Sequence, residues 1–122
     1  MHHSPEAAAL REGSDMVSIT YDCGKFELKV EGHAGVAPAG EDLVCSAVSM
    51  LVRTFAENAK LMDRAGIASG VQIELEGGNA HVLCRPAKKY RAVAKAVLQA
   101  VCIGFELLEQ EFPENVRFRA IE

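Results

Sequence analysis

A cysteine at the start of a predicted helix, with a histidine twelve residues before it, is the part of this sequence best suited to chemistry. The stretch EGHAGVAPAGEDLVCSAVSML contains both His33 and Cys45. A thiol reacts as its thiolate, and both a helix N-terminus and a nearby histidine that can carry charge lower a thiol pKa. The pair therefore predicts a nucleophilic thiol with an imidazole as its base.

Two polar residues near the thiol are candidates for supporting roles. Asp42 lies three residues before Cys45 and is predicted as the N-cap, which would put Cys45 at the third helical position. It could instead orient the imidazole of His33, although its spacing better supports the cap. Ser49 lies one turn beyond Cys45 on the same face, where it could hydrogen-bond the thiol or a substrate. Free N–H groups in the first helical turn could contribute to an oxyanion hole.

Other interpretations of the same residues remain open at this point. Cys45 could be a small buried apolar residue and His33 an ordinary loop residue. A redox function would need a resolving cysteine close by, but Cys23, Cys84 and Cys102 form no C-x-x-C pair and are predicted to be structural. A zinc site built on His33 and Cys45 lacks ligand spacing, and we predict no metal or cofactor.

The elements around these residues follow the order strand, strand, helix, strand, strand, helix, strand. Two hairpins with alternating apolar residues are predicted, MVSITYDCGKFELKVEG, whose turn contains Asp22 and Gly24, and VQIELEGGNAHVLCRP. A helix with an apolar stripe begins near Asp42 and ends at Gly66, and a second runs from about Lys88 to Gln110. We therefore expect a two-layer α+β domain with both helices on one face of a mixed sheet.

The second predicted helix is more apolar than packing on one sheet requires. Its polar residues form a narrow stripe of Lys95, Gln99, Cys102 and Glu106, and nearly all other positions are apolar. A helix that covers a single sheet needs one apolar face. The excess predicts a homodimer that buries the remaining apolar surface.

Basic residues are concentrated in the segment CRPAKKYR, which contains Arg85, Lys88, Lys89 and Arg91. Cations at a helix start oppose the helix dipole. The segment could bind RNA or an acidic partner, but a solvated surface is the ordinary interpretation. The net charge of -4 argues against a nucleic-acid-binding protein, so nucleic acid is expected only as an incidental contact of such a local patch.

The length of 122 residues predicts one domain, which we place at 16–122. Residues 1–15, with His2 and His3, have no strand or helix periodicity and are predicted to be a disordered leader or an expression tail. We expect no membrane partner, because no apolar run is long enough to span a bilayer and no secretory signal pattern occurs. Reduced cysteines in such a chain indicate the cytoplasm.

The segment GHAGVAPAGEDLVCSAVSML resembles the signature of the bacterial ribosomal-processing cysteine proteases called Prp. That pattern is Gly-His-Ala, a glycine-containing loop, Asp, two apolar residues, Cys, a small residue and Ala-Val-Ser. The matching residues are Gly32, His33, Ala34, Gly40, Asp42, Cys45, Ala47, Val48 and Ser49. The resemblance extends over residues 16–122, and its specificity comes from 32–49.

The resemblance implies a homodimeric cysteine endopeptidase that removes an N-terminal extension from large-subunit ribosomal protein twenty-seven. It implies Cys45 as nucleophile and His33 as general base, with Gly32, Asp42 and Ser49 in support. It also implies a mobile loop that orders over the substrate and consists of Ala34, Gly35, Val36, Ala37, Pro38, Ala39, Gly40 and Glu41. Val36 departs from the family, which often has an aromatic residue there. The competing hypothesis is a non-enzymatic, ribosome-associated binding module.

Overall fold

The computed structural model describes residues 16–32, 39–76 and 78–122, with the backbone alone for 39–42. The elements are β1 (Val17–Asp22), β2 (Glu27–Glu31), α1 (Ala39–Arg64), β3 (Ala68–Glu76), β4 (Asn79–Pro86), a 3₁₀ turn (Lys88–Tyr90), α2 (Arg91–Glu111) and β5 (Val116–Ile121). The predicted order of elements and the α+β class are confirmed.

The five strands form one mixed sheet in the order β3-β4-β2-β1-β5. β1 and β5 are parallel, and the other neighbouring pairs are antiparallel. In the pairing of β2 with β4, Glu31 lies opposite Asn79. The end of β2 therefore meets the β3–β4 turn, although about fifty residues separate them in the chain.

The first hairpin turn is built by an aspartate, as its composition predicted. The Oδ1 atom of Asp22 accepts hydrogen bonds from the backbone N–H groups of Gly24 at 3.0 Å and Lys25 at 3.1 Å. A side chain that satisfies the backbone in this way stabilises a turn without secondary-structure partners. Phe26 ends the turn with a positive φ of 54°, and its side chain is buried.

The core lies between the sheet and the two helices. Alternate residues of β1 and β2 point into it, and Tyr21 packs edge-on against Phe55 of α1 with ring centroids 5.5 Å apart. Phe105 of α2 stacks on Phe118 of β5 at 5.8 Å. These aromatic pairs join each helix to the strand beneath it, because aromatic side chains bury large apolar areas.

The end of α1 has the hydrogen bonds of a glycine cap, which confirms the predicted role of Gly66. The N–H of Ile67 donates to the carbonyl oxygen of Met62 at 2.8 Å, and the N–H of Gly66 donates to that of Asp63 at 3.1 Å. Gly66 has a φ of +74°. This is the Schellman arrangement, in which a left-handed residue ends the helix.

The start of α2 and one of its residues differ from the prediction. Residues 88–90 form a 3₁₀ turn, as is common before an α-helix, and the α-helix begins at Arg91 with Tyr90 as its N-cap residue. Cys102 is buried with Leu98 and Phe105 and does not belong to the polar stripe. Its spacing of four and three residues from these neighbours places it on the core face, where a thiol packs as a small apolar group.

Within the part of the chain that is described, no helix combines the length and apolar character needed to cross a membrane.

Candidate active site

An open groove of about 350 Å³ lies where the first half of α1 faces the ends of β2 and of the β3–β4 hairpin. Its apolar lining consists of Val17, Val30, Val48, Val52, Leu75 and Ala80. Clefts of this size, mostly apolar with a few polar groups, are typical of ligand and substrate sites.

Three polar side chains of α1 line this groove at four-residue intervals. They are Cys45, Ser49 and Arg53, which the helical repeat places on one face of α1. The structure thus brings Cys45 and Ser49 together, as predicted. Arg53 was missed, although its spacing of eight residues from Cys45 was a signal for the same face.

Cys45 differs from the other cysteines in its exposure. Cys45 is half-buried and lines the groove, whereas Cys23, Cys84 and Cys102 are at most 4% exposed. Burial raises the pKa of the Cys84 thiol. Burial, followed by the charges of Cys23 and Glu106, raises the pKa of Cys102 to about 12. A neutral buried thiol is a poor nucleophile, so the three buried cysteines are structural and Cys45 is the thiol available for chemistry.

Gly32 forms one wall of the groove in a conformation that requires glycine. Its φ is +94°, and a Cβ atom there would lie 2.3 Å from the carbonyl oxygen of Met16. Its N–H donates to the carbonyl oxygen of Gly78 at 2.8 Å. The chain leaving β2 is thus fixed beside the groove by a backbone contact and by a hydrogen bond.

His33 and residues 34–38 lie outside the described residues. The structure therefore brings together Gly32, Cys45 and Ser49, and it leaves the predicted imidazole to a proposal. The side chain of Asp42 also lies outside the described part.

The start of α1 corrects two predictions. The helix begins at Ala39, so Asp42 is its fourth residue and not its N-cap, and Cys45 is its seventh residue and not its third. Residues Ala39, Gly40 and Glu41, which were predicted to belong to the loop, are helical. The physical reason is that only Gly40 among these residues has low helix propensity, and proline, the type at position 38, is favoured at helix starts.

The earlier helix start changes how the thiol could be activated. The unpartnered backbone N–H groups are those of the first four helical residues, and Cys45 lies beyond them. The effect of the helix dipole also falls off within the first turn. The predicted oxyanion hole from the turn that carries Cys45, and the predicted effect of the helix terminus on its thiol, therefore lose their support.

The β3–β4 turn supplies a part of the groove that the sequence did not indicate. Glu76, Gly78 and Asn79 line it opposite α1. Their position depends on β4 lying next to β2, and strand order cannot be deduced from hydrophobic alternation.

The other histidine of the domain, His81, contacts two glutamates. His81 is half-buried, its Nε2 lies 2.5 Å from a carboxylate oxygen of Glu27, and its Nδ1 lies 3.5 Å from one of Glu74. Among the described residues, no group of three or more His, Cys, Asp or Glu side chains could hold a metal ion.

The comparisons with known proteins agree on one family. The family model described as cysteine protease Prp matches residues 16–117. A curated relative, the ribosomal processing cysteine protease Prp of Bacillus subtilis, is 25% identical over 100 residues, which are 80% of this chain and 88% of the relative.

Solved structures show the same fold. The ribosomal processing protease Prp of Staphylococcus aureus, in complex with a covalently linked product peptide, has a TM-score of 0.64 and 22% identity, covering 86% of this chain and 99% of that one. The same protease with a substrate peptide has a TM-score of 0.61 and 21% identity, covering 86% and 97%. A protein of Streptococcus mutans has a TM-score of 0.63 and 20% identity, covering 91% and 97%.

Proposed function

The chain belongs to the Prp family of cysteine proteases, and from this premise we propose that Cys45 is its nucleophile and His33 its general base. The observation that carries the proposal is the position of Cys45. It is the accessible thiol of the domain and lines a mostly apolar groove of about 350 Å³. A peptide in that groove would lie against the reactive sulfur.

The proposed reaction has two stages. His33 takes the thiol proton, and the Cys45 sulfur attacks the carbonyl carbon of the scissile peptide bond. The C–N bond breaks, the amine leaves with the proton from the imidazolium, and an acyl-enzyme remains. His33 then takes a proton from water, whose oxygen attacks the thioester carbonyl. The C–S bond breaks, the acid product leaves, and the imidazolium returns the proton to the Cys45 sulfur.

The geometry around Gly32 supports His33 as the base. Gly32 lines the same groove as Cys45, lies too close to the carbonyl oxygen of Met16 to carry a Cβ atom, and donates a hydrogen bond to Gly78. His33 directly follows Gly32 in the sequence. Gly32 is therefore proposed as a positioning residue for the imidazole.

Ser49 and Asp42 are proposed to support the reaction. Ser49 lies one helical turn from Cys45 in the groove, where its hydroxyl can hydrogen-bond the substrate or the thiol. Asp42 precedes Cys45 on the same helix, and its carboxylate is proposed to orient the His33 imidazole. Residues 34–38 are proposed as the segment that closes over the substrate.

The proposed substrate is the N-terminal extension of large-subunit ribosomal protein twenty-seven. The relative from Bacillus subtilis is a ribosomal processing protease, and the Staphylococcus aureus protease binds a substrate peptide and a covalently linked product peptide. An extended N-terminal peptide suits an open groove whose long wall is a helix. The four free cysteines support a reducing compartment, and we place the protein in the cytoplasm.

A homodimer is proposed on the exposed face of α2. Val93, Ala96, Ala100, Ile103 and Leu107 are all exposed, at alternating spacings of three and four residues. Val93, Ile103 and Leu107 are 48–55% exposed. This spacing is the seam by which helices pack against one another, and a second copy of α2 would bury it.

The function is tested with ribosomal protein twenty-seven that carries its extension, by intact mass before and after incubation. Wild-type protein should release one defined N-terminal peptide, and Cys45→Ala and His33→Ala should release none. The matched control is Cys23→Ala, which removes a buried thiol far from the groove and should leave cleavage in place. Cleavage by Cys45→Ala at the wild-type rate would overturn the assignment of the nucleophile. Retention of the substrate without cleavage by wild-type protein would favour the binding module.

A further inference from the structure

Positive charge is segregated in this acidic chain. The sequence has 17 acidic and 13 basic residues, yet no acidic residue occurs between Glu76 and Glu106. The same interval contains Arg85, Lys88, Lys89, Arg91 and Lys95. A surface that serves only to keep a protein soluble has both signs of charge interspersed, so solubility does not explain this separation of charge.

The fold brings Lys25, which is distant in the sequence, close to this group of basic residues. The Nη2 atom of Arg91 donates to the carbonyl oxygen of Gly24 at 3.5 Å, and its guanidinium lies over the Phe26 ring at 5.3 Å. These contacts dock the start of α2 on the β1–β2 turn, which carries Lys25. We call Lys25, Arg85, Lys88, Lys89, Arg91 and Lys95 the basic end.

The cations of the basic end are exposed and have no ion-pair partner among the residues that are described. The ion pairs among the described residues are Lys60 with Glu57 and His81 with Glu27 and Glu74, and none of them involves the basic end. The acids nearest to Lys25 in the chain are Glu27, whose carboxylate contacts His81, and Asp22, one of whose oxygens accepts two backbone hydrogen bonds. The positive charge of this surface is therefore available to a partner.

The basic end works against the stability of α2. The first turn of this helix contains no acidic residue, and no side chain caps it. Cations near a helix N-terminus are unfavourable because of the helix dipole. The helix dipole therefore gives no reason for Lys88 and Lys89 to be basic, whereas Arg91 also docks α2 on the β1–β2 turn.

The basic end is also remote from the thiol groove. The β1–β2 turn at Gly24 and the groove wall at Gly32 are opposite ends of one hairpin. A partner held at the basic end would leave the groove open. Binding there and cleavage at Cys45 are therefore separable by mutation.

We propose that the basic end binds the phosphate backbone of structured RNA. The six exposed cations match closely spaced negative charges, and such contacts position a protein without reading sequence. The choice of RNA over another polyanion rests on the proposed function, because a ribosomal substrate assembles beside RNA. RNA binding would hold the protease where its substrate is found.

The test measures binding of a fluorescently labelled RNA hairpin by anisotropy, from about 50 to about 200 mM salt. Wild type and Cys45→Ala should bind alike, with affinity that falls steeply as salt rises. The double variant Lys88→Gln, Lys89→Gln should bind at least about tenfold more weakly, with a salt slope reduced by about two, one for each lost phosphate contact. The matched control is Arg117→Gln, Arg119→Gln, which removes the same charge from exposed positions on β5 and should keep wild-type affinity.

Three outcomes would overturn the proposal. They are no binding by wild-type protein at the lowest salt, an equal loss in the two double variants, and displacement of the RNA by polyglutamate at equal charge concentration. The last would indicate an acidic protein as the partner. Peptide cleavage is measured on the same samples and should be unchanged in both double variants, so failure of RNA binding and failure of the protease function are read independently.

Discussion

The backbone N–H of Gly32 donates to the carbonyl oxygen of Gly78 at 2.8 Å, which ties the end of β2 to the β3–β4 turn. Both residues line the groove that contains Cys45. The contact lies between two segments far apart in the sequence, and it fixes the position of Gly32 at the end of β2. This wall of the groove thus depends on Gly32, a residue without a side chain.

Gly32→Ala should impair both folding and cleavage. The left-handed φ of +94° is strained for alanine by about 1–3 kcal/mol, and the added Cβ would lie 2.3 Å from the oxygen of Met16, a backbone atom that cannot rotate away. We expect a lower urea midpoint and a large loss of kcat/KM for a peptide substrate. Full activity of the purified variant would contradict the positioning role.

The matched control is Gly66→Ala. Gly66 also has a positive φ, of +74°, but nothing lies within 4 Å of a Cβ built on it, and it ends α1 away from the groove. The free energy of unfolding should fall only by the left-handed strain of about 1 kcal/mol, and kcat/KM should be unchanged. The difference between the two variants isolates the close contact at Gly32.

Alkylation of the native protein should modify Cys45 alone. Cys23, Cys84 and Cys102 are at most 4% exposed, and the raised pKa of Cys84 and Cys102 leaves little thiolate at about pH 8. Intact mass after brief treatment with iodoacetamide should show one adduct, and four should appear in urea. Loss of the native adduct in Cys45→Ala locates it. A second adduct on the folded protein would show that another thiol is accessible.

The stability of the domain should fall at alkaline pH. Burial raises the pKa of Cys102 from 9.0 to about 12, so the folded chain keeps a proton that the unfolded chain releases above about pH 9. The contribution is fully present below pH 9 and falls by up to about 1.4 kcal/mol per pH unit until the folded pKa is passed. Urea unfolding at about pH 8 and about pH 10, under reducing conditions, should show the decrease. Cys102→Ala should show a smaller decrease, and an equal one would contradict this origin.

Much of the fold could be predicted from local sequence patterns. Alternation of apolar residues identified both hairpins. Asp22 marked a turn because its side chain accepts hydrogen bonds from the next few residues, and Gly66 marked a helix end because glycine readily adopts a positive φ. Sheet order depends on contacts between distant segments, so it was not predictable that β4 lies beside β2 and brings Asn79 to the groove.

The site was predictable where its residues share one helix. Cys45 and Ser49 followed from helical spacing, and Arg53 could have been found in the same way. The start of α1 was misplaced because Asp42 is a strong capping type, whereas the helix continues back to Ala39 through residues of which only Gly40 has low helix propensity. An aspartate is also favourable inside the first helical turn, so its type alone does not locate the start of a helix.

Tyr21→Phe should leave the domain equally stable or more stable. The hydroxyl of Tyr21 is buried with no hydrogen-bond partner among the described residues, and burial raises its pKa. An unsatisfied buried hydroxyl is unfavourable by about 1–3 kcal/mol, and phenylalanine keeps the edge-on contact with Phe55. Urea unfolding measures the change, and Tyr21→Leu, which loses the ring contact, should be destabilised. A clear loss of stability in Tyr21→Phe would reveal a partner for the hydroxyl.

Ile103→Glu should convert a dimer into monomers without unfolding them. Ile103 is 55% exposed and belongs to the row of exposed apolar residues on α2 that would form the dimer seam. A carboxylate at this position would be hydrated in the monomer but would face an apolar surface in the proposed dimer. Sedimentation should give the dimer mass for wild type and 13.1 kDa for the variant. Leu61→Glu is the matched control, since Leu61 is 54% exposed on α1 outside the seam and should stay dimeric. A monomeric wild-type protein, or an Ile103→Glu variant that remains dimeric, would place the exposed face of α2 outside any interface between copies.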